Sequence, residues 1–315
     1  MSEFGDPTDV AVIIVCYNFE PFLRECVESI LAQTLRPREI VICDDCSTDG
    51  SWAIIEEYMK QHPDWVRGVR QEVNSGPFSN WYAAFNTVTA TCVSSIDGDD
   101  RWLPEKLEKE CGLLKKHPKA GLVFSDAYLV DESGRRFAHW TDEQNSLPEC
   151  GDLLPRVIGR SVFSNSTSLF RNETAYRSIY ESVGYDENVK VYLDFDFKIR
   201  ACASYPAAYT GEPLVEYRRH GKGLHGSTPP EELRRDEMGV LRKNLPLLQK
   251  RKDATAVQLG KKLERDLLIY GLQEKYELSY HVPYALTCQD LLGFAGKNVL
   301  EVGGSLPRRF VLDEL

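Results

Sequence analysis

The chain contains 315 residues, of which 42% are hydrophobic and 27% are charged, and its formal net charge at pH 7 is −10. This length and apolar content suffice for one large α/β domain, or for such a domain with a C-terminal extension. The negative charge, without a long basic run, argues against nucleic acid as a partner. No apolar run is long enough to cross a membrane, and residues 1–10 lack the pattern of a signal peptide, so we expect a cytoplasmic protein.

Predicted strands and helices alternate along the chain. A continuous apolar run at residues 10–18 is typical of a strand buried on both faces, and further strands are predicted at 38–45, 66–72 and 92–96. Helices are predicted at 20–34, 47–63, 80–90 and 103–118, and residues 120–136 are predicted to form two strand segments and a turn. This alternation indicates right-handed βαβ units and an α/β, Rossmann-like, mostly parallel sheet flanked by helices.

Polar side chains follow three of these strands at the point where each strand ends. Tyr17 follows the first strand and Asp45 ends the second. The fourth strand runs into an acidic cluster formed by Asp97, Asp99 and Asp100. Ligands of open α/β sheets bind outside the carboxyl ends of the strands, so the sequence predicts one acidic crevice at that edge.

The acidic cluster admits several interpretations. Asp97, Asp99 and Glu108 fall at positions 1, 3 and 12 of an EF-hand pattern, but Trp102 occupies position 6, where that loop requires glycine. The chain also lacks the GxxxxGK[ST] phosphate-binding motif, and no GxGxxG motif follows the first strand. Carboxylates suit Mg²⁺ or Mn²⁺, and these ions usually keep positions open for phosphate. A metal-bridged nucleotide diphosphate is therefore the ligand that the cluster favours.

Four segments resemble, in order, the motifs of family 2 glycosyltransferases. Residues 10–51 resemble the opening of these proteins, and "DGDDRWLPEKLEKE" resembles their DxD metal motif with the helix that follows it. "VYLDFDFKIRACASYPAAY" resembles their catalytic acidic segment, and "EYRRHG" their tyrosine-arginine-x-histidine signature. The resemblance implies a GT-A fold and an inverting enzyme that uses a nucleotide-diphosphate sugar. It implies a catalytic domain at residues 1–227 and leaves 228–315 as a helical C-terminal extension.

The resemblance also implies which residues bind the nucleotide donor. Tyr17 matches the residue that stacks on the base, and Asp45 matches the residue that hydrogen-bonds it. Asp97 matches the first acidic position of the DxD motif, and Asp100 lies close to it in the same binding region. The implied donor is a UDP-sugar or a dTDP-sugar.

A divalent cation, Mn²⁺ or Mg²⁺, is the implied cofactor. Asp99 matches the second acidic position of the DxD motif, and His220 matches a histidine that can complete the metal or diphosphate site. His225 lies near enough in the sequence to compete with His220 for that role. The resemblance thus implies a metal site formed by residues from distant parts of the chain.

Asp194 matches the catalytic base, and Asp196 is the alternative two residues later. Leu193 stands where the family usually has glutamate, which is a departure next to the base. The spacing of Asp194 and Lys198 also predicts an i,i+4 ion pair on the same helix, so a purely structural interpretation of Asp194 stays open.

These observations predict a glycosyltransferase that moves a hexosyl or N-acetylhexosaminyl group to a hydroxyl of a glycan or lipid-linked glycan. Synthesis of bacterial-type surface polysaccharide is the family-level expectation. The alternative is a catalytically silent nucleotide- or glycan-binding module of the same fold, which Leu193 favours.

The extension has one apolar stripe, formed by Leu259, Leu263, Leu267 and Tyr270. We expect this stripe to pack against the catalytic domain or another subunit. Basic residues beside it leave peripheral contact with the inner face of a membrane as an alternative.

Overall fold

The computed structural model describes residues 6, 8–140, 147, 149–159, 163–172, 179, 191–220, 223 and 228–275. The chain divides into two compact units, Met1–Ser227 and Thr228–Leu315. The division falls where the sequence predicts the boundary of the catalytic domain, although the catalytic role of the first unit stays a prediction. Within the described part of the chain, no helix is long and apolar enough to cross a membrane.

The elements of the first unit alternate as the sequence predicts. Its strands are β1 (Val10–Cys16), β2 (Glu39–Asp44), β3 (Val66–Arg70), β4 (Cys92–Asp97), β5 (Arg101–Trp102), β6 (Leu122–Val130), β7 (Arg136–His139), β8 (Cys150–Gly151), β9 (Ser168–Arg171) and β10 (Ala207–Arg218). Its helices are α1 (Leu23–Leu31), α2 (Ser51–Gln61), α3 (Pro77–Phe85), α4 (Lys106–Lys116), α5 (Leu154–Gly159) and α6 (Leu193–Ser204), and a 3₁₀ turn covers Asn165–Thr167.

The described residues of this unit form one sheet of ten strands, with the order β3-β2-β1-β4-β9-β6-β10-β5 and with β7 on β6 and β8 on β10. The pairs among β1 to β4 are parallel, as is the pair of β6 and β10, whereas β9 runs antiparallel to both of its neighbours. The predicted mostly parallel α/β sheet is therefore confirmed. The predicted pair of strand segments at 120–136 is one nine-residue strand, β6, followed by a turn and β7.

The register of the parallel strands places the acidic residues side by side. Cys16 of β1 lies opposite Asp44 of β2, and Val15 lies opposite Asp97 of β4. Six of the seven residues of β1 are buried, because helices cover both faces of the sheet here. The side chains that follow β1, β2 and β4 consequently emerge at the same edge, which is where the sequence predicts the crevice.

Helix α1 covers one face of the sheet through Leu23, Cys26, Val27 and Ile30, all of which are fully buried. These positions follow the 3.6-residue period of an amphipathic helix. The helix begins soon after the end of β1, so its first turns lie next to the acidic edge. Phe22, which directly precedes the helix, and Glu25 in its first turn contribute to the site described below.

The second unit contains α7 (Pro230–Gln249) and α8 (Ala254–Lys275), which pack against each other. The helical prediction for this region is confirmed over these residues. Three members of the predicted stripe, Leu263, Leu267 and Tyr270, are buried. Val257 and Leu268 of α8 are exposed. Contact of this unit with a membrane surface or another subunit stays a prediction.

Candidate active site

A tight acidic turn follows β4 and forms the centre of the site. Asp100 N donates to Asp97 O at 3.0 Å, and Gly98 N donates to Val15 O of β1 at 2.8 Å. A Cβ atom at Gly98 would lie 3.1 Å from both Val15 O and a ring carbon of Phe19. Glycine therefore allows this turn to lie directly against β1 and the start of α1.

The structure brings Asp99 and His220 together from positions 121 residues apart, with 2.8 Å between Asp99 Oδ2 and His220 Nε2. The imidazole is nearly buried, with 2% of its side-chain surface exposed, and it lies against the rings of Phe19 and Phe22. These two residues are those that the sequence assigns to the metal. The competing candidate His225 lies outside the described residues.

Asp100 has a different environment from its neighbours. It is buried, and its Oδ2 accepts a hydrogen bond of 2.6 Å from Ser166 Oγ while its Oδ1 accepts one of 2.8 Å from Arg218 N. Burial, followed by the charges of Asp99 and Asp97, raises the pKa of Asp100 well above its ordinary value. This geometry favours a structural role over the predicted donor contact, because both oxygens already bind protein donors.

Asp97 and Asp194 lie near each other although they belong to different motifs. Burial is the largest cause that raises the pKa of Asp97 to about 7. The charges of Asp99 and Asp194 raise this pKa further, and the ammonium group of Lys198 lowers it. The charge of Asp194, in the first turn of α6, therefore acts on the turn that follows β4.

Asp194 and Asp196 differ in their access to this space. Asp194 Oδ2 lies 2.6 Å from Lys198 Nζ, and 34% of the Asp194 side-chain surface remains exposed. The Asp196 side chain is 2% exposed and pairs with Arg200 Nε at 3.0 Å. Only Asp194 of the two is accessible to an acceptor hydroxyl. The neighbouring Leu193 is 5% exposed, so it packs into the protein.

The residues predicted to bind the base lie at the ends of β1 and β2. Tyr17 is 41% exposed, which leaves its ring available for stacking. Asp45 is buried, and its carboxylate accepts hydrogen bonds from Ser75 N at 2.8 Å, Ser75 Oγ at 3.0 Å and Gly76 N at 2.8 Å. Asp45 thus fixes the loop that precedes α3, a role that sequence reasoning did not anticipate.

Sequence reasoning also missed Arg218, which joins β10 to the acidic turn. Arg218 Nε donates to Asp99 O at 2.8 Å, and its terminal nitrogens donate to Glu132 O at 2.7 Å and to Glu25 Oε2 at 2.9 Å. The guanidinium carbon lies 4.7 Å from the centre of the Phe22 ring. Arg218 occupies the arginine position of the tyrosine-arginine-x-histidine signature, but only the three-dimensional contacts show what its side chain does.

The donor set fits a divalent cation that is shared with a ligand. Among the described residues, no three His, Cys, Asp or Glu side chains converge closely enough to hold an ion by themselves. Asp99 and His220 offer one carboxylate and one imidazole, and Mg²⁺ or Mn²⁺ sites of this kind are completed by water and phosphate. The adjacent carboxylates raise the pKa of Asp97, and a cation would stabilise their charged forms.

The model of glycosyl transferase family 2 matches residues 11–174 of this chain, which therefore belongs to that family. Rv1520, an uncharacterized protein of Mycobacterium tuberculosis, is 26% identical over 218 residues, which cover 68% of this chain and 60% of that protein. The candidate glycosyltransferase EpsE of Bacillus subtilis is 32% identical over 177 residues, which cover 55% of this chain and 60% of that protein.

Solved structures share the fold at lower identity. TarS residues 1–349 of S. aureus, in complex with UDP-GlcNAc, match with a TM-score of 0.66 and 21% identity over 91% of this chain and 80% of that chain. The mannosyltransferase PcManGT of Pyrobaculum calidifontis, in complex with GDP-Man and Mn²⁺, matches with a TM-score of 0.51 and 18% identity over 88% of this chain and 91% of that chain. The fold is GT-A, as the sequence predicts.

Proposed function

We propose that the protein is an inverting, metal-dependent glycosyltransferase that moves a sugar from a nucleotide-diphosphate donor to a hydroxyl of a glycan or lipid-linked glycan. One observation carries this proposal. Asp99, which contacts His220 of the segment after β10, lies on the same turn as Asp97, and the charges of Asp97 and Asp194 interact. A cation-binding pair and an accessible carboxylate thus share one crevice at the carboxyl ends of the strands.

Asp194 is the base in this proposal. Its carboxylate accepts the proton of the acceptor hydroxyl as that oxygen attacks the anomeric carbon, opposite the departing diphosphate. Lys198 holds the carboxylate on α6 and leaves part of it exposed. When bound by Asp99 and His220, a divalent cation would offset the negative charge of the leaving diphosphate.

We assign the nucleotide to the side of the crevice formed by the ends of β1 and β2. Tyr17 stacks on the base, and Asp45 acts there directly or through the Ser75–Gly76 loop that it fixes. UDP-sugars or dTDP-sugars are the proposed donors. TarS has been solved with UDP-GlcNAc and PcManGT with GDP-Man, so the fold accepts donors with different nucleobases. The donor screen described below therefore includes UDP-, dTDP- and GDP-sugars.

The proposed process is the synthesis of bacterial surface polysaccharide. TuaG of Bacillus subtilis, a candidate glycosyltransferase of teichuronic acid biosynthesis, is 36% identical over 150 residues, which cover 48% of this chain and 59% of TuaG. Such a process would place the protein in the cytoplasm, free or bound peripherally at the inner face of the membrane.

A catalytically silent binding module of the same fold is the second candidate. The 2.6 Å pair of Asp194 and Lys198 favours it, because the ammonium group occupies one oxygen of the proposed base. Leu193 favours it as well, because this buried apolar residue removes the acidic neighbour that the family usually has.

Nucleotide release separates the two candidates. The purified full-length protein is incubated with UDP-, dTDP- and GDP-sugars, with and without Mn²⁺, and with a panel of saccharide acceptors. The enzyme proposal expects acceptor-stimulated, Mn²⁺-dependent release of one nucleotide. Nucleotide binding in calorimetry without turnover on any acceptor would support the module, and the absence of nucleotide binding would contradict both.

A further inference from the structure

Three side chains form an aromatic–arginine cluster, which we define as Trp140, Tyr217 and Arg219. The Trp140 and Tyr217 rings meet edge to face, with 4.9 Å between their centroids. The Arg219 guanidinium carbon lies 5.5 Å from the centre of the Trp140 ring and 5.1 Å from that of Tyr217. Nothing in the proposed reaction at Asp194, Asp99 and His220 uses this cluster.

The cluster adjoins the acidic turn. Arg219 stands between Arg218, which donates to Asp99 and Asp100, and His220, which contacts Asp99. Because consecutive Cα atoms are about 3.8 Å apart, the backbone of Arg219 lies close to both of these contacts. Burial is the main cause that raises the pKa of Tyr217, and the charges of the acidic turn add to it.

Two strands fix the cluster on the side of the crevice away from the nucleotide. Tyr217 belongs to β10, and Trp140 N, directly after β7, donates to Ala127 O of β6 at 2.8 Å. The sheet order places β6 and β10 on one side of β4, whereas β1 and β2, which precede Tyr17 and Asp45, lie on the other side. A ligand at the cluster would therefore approach the site from the side opposite the proposed nucleotide position.

The guanidinium group of Arg219 differs from those of its neighbours. The buried Arg218 uses its nitrogens on Asp99, Glu132 and Glu25. Arg219 is exposed, and within the described part of the chain its side chain has no hydrogen bond or ion pair, only its contact with the two rings. The rings hold the guanidinium in place and leave its N–H groups able to donate.

This combination suits a saccharide that carries a negative charge. Aromatic rings pack against the apolar faces of sugar rings, and a guanidinium forms paired, charge-assisted hydrogen bonds with carboxylate or phosphate. The chain has a net charge of −10, so an anionic acceptor needs a local cation to approach the acidic turn. Arg219 is an exposed cation that lies between the two residues in contact with Asp99.

We propose that the aromatic–arginine cluster is an acceptor subsite that binds an anionic group of a saccharide, either the carboxylate of a uronic acid or a phosphate. The inference rests on the proposed function, because it takes the cluster to be on the acceptor side of a sugar-transfer site. Trp140 positions the sugar ring, and Arg219 binds the anionic group and so favours charged saccharides over neutral ones. Both are specificity residues and neither takes part in the transfer of the proton.

Saccharide binding to the full-length protein tests this subsite. Saturation-transfer NMR titrations, with Mn²⁺ and UDP present, would compare tetragalacturonic acid, a glycerol-phosphate tetramer and neutral maltotetraose. We expect at least one anionic probe to bind more tightly than maltotetraose, and the tighter of the two identifies carboxylate or phosphate as the preferred group. Arg219→Gln should weaken the binding of that probe about tenfold or more, with little change for maltotetraose.

Arg135→Gln is the matched control, because Arg135 lies in the neighbouring β6–β7 turn with 81% of its side chain exposed. This variant removes the same charge and should leave the affinity unchanged, whereas Arg219→Lys should restore only part of it. Trp140→Leu should weaken anionic and neutral probes alike. The subsite would be overturned if neither anionic probe bound better than maltotetraose. It would also be overturned if Arg219→Gln bound the preferred anionic probe as tightly as the unmodified protein does.

Separate calorimetry of UDP with Mn²⁺ distinguishes failure of the subsite from failure of the proposed function. Normal UDP binding in Arg219→Gln with lost anionic binding supports the subsite. Equal loss of UDP and saccharide would place Arg219 in the donor site and overturn the inference. Absence of UDP binding in the unmodified protein would contradict the proposed donor, while the saccharide titrations alone would still decide the subsite.

Discussion

The Nζ atom of Lys198 lies 2.6 Å from Oδ2 of Asp194, one turn further along α6. Lys198 also donates to Phe163 O at 3.0 Å, so the ammonium group is anchored on both sides. The sequence allows Asp194 to be either a base or one half of an ion pair. In the structure the ion pair is present and the carboxylate is still partly exposed, so the two interpretations are compatible.

Asp194→Asn should lower turnover by about two to four orders of magnitude, because the amide keeps the shape of the side chain but cannot accept a proton at neutral pH. Binding of the donor should persist, because Tyr17, Asp45 and Asp99 are unchanged. Steady-state nucleotide release at saturating donor, together with calorimetry of donor binding, measures both effects.

Asp196→Asn is the paired control for this prediction. Asp196 is buried against Arg200, so the substitution should reduce the free energy of unfolding and affect turnover of the folded protein much less. Near-normal turnover in Asp194→Asn with collapse in Asp196→Asn would assign the base to the other carboxylate. Loss of donor binding in both variants would show that α6 shapes the nucleotide site.

Asp99→Ala should abolish the Mn²⁺-dependent part of nucleotide binding and leave the fold intact, because a partly exposed carboxylate at the proposed metal site is removed. Calorimetric titration of UDP with and without Mn²⁺ measures this difference. An unchanged Mn²⁺ dependence would remove Asp99 from the metal site.

Asp100→Ala is predicted to act on stability. Its loss leaves Ser166 Oγ and Arg218 N without the acceptor that each now has, and an unsatisfied buried donor costs about 1–3 kcal/mol. Urea denaturation of Asp99→Ala and Asp100→Ala side by side should show the larger loss for Asp100→Ala. The reverse order would contradict the structural role of Asp100.

Asp45→Ala should weaken nucleotide binding equally with and without Mn²⁺. The variant loses the acceptor of three hydrogen bonds from Ser75 and Gly76, so the loop before α3 loses its fixed position. Calorimetry with UDP measures the loss, for which about tenfold is expected from hydrogen bonds to a charged group. The exposed Asp64→Ala controls for the removal of one negative charge, and equal effects of the two variants would refute the prediction.

The buried ion pair of Lys106 and Glu110 gives a stability prediction. The two groups are 2.6 Å apart and both side chains are fully buried, so Glu110→Leu leaves an unpaired buried ammonium group and should cost about 3–5 kcal/mol. The double variant Lys106→Met/Glu110→Leu should recover most of this loss. The exposed pair of Lys109 and Glu212 is the control, and Glu212→Gln should cost no more than about 1 kcal/mol in urea denaturation.

The same pair predicts a pH dependence of stability. Burial raises the pKa of Glu110 to about 7 despite the opposing charge of Lys106. Between the ordinary glutamate pKa of about 4.3 and this value, the unfolded chain has lost a proton that the folded protein keeps. The contribution of Glu110 to the free energy of unfolding should therefore fall as the pH rises from about 4.5 to 7. Urea denaturation at several pH values should show a smaller fall in the double variant than in the unmodified protein.

The sequence predicts β1 to β4 and their helices well because each has a strong local pattern. The continuous apolar run of β1 and the amphipathic α1 need no information from elsewhere in the chain. β5 has only two residues, and β10 is interrupted by Gly211 and Pro213, both of which weaken a strand pattern. The partners of these strands are distant in sequence, so their pairing has no local signal.

The candidate site likewise combines features that the sequence predicts with contacts that only the fold shows. The resemblance identifies Asp99 and His220, but their contact across 121 residues becomes visible only in the fold. Asp97 and Asp100 are alike in the sequence, and the structure separates them because Ser166 Oγ and Arg218 N donate to the carboxylate of Asp100. The roles of the two carboxylates depend on their burial. That burial is produced by elements distant in sequence, which no local pattern connects.

The position of β10 has a consequence for synthesis of the chain. Among the described residues it is the last strand of the sheet in sequence, yet it lies between β6 and β5, and Arg218 at its end is 118 residues beyond the Asp100 that it contacts. At a translation rate of about 5–20 residues per second, the acidic turn precedes its partner by roughly 6–24 s. From the synthesis of β6 until that of β10, β6 has an open edge, which is a surface where a nascent chain is prone to pair wrongly with another.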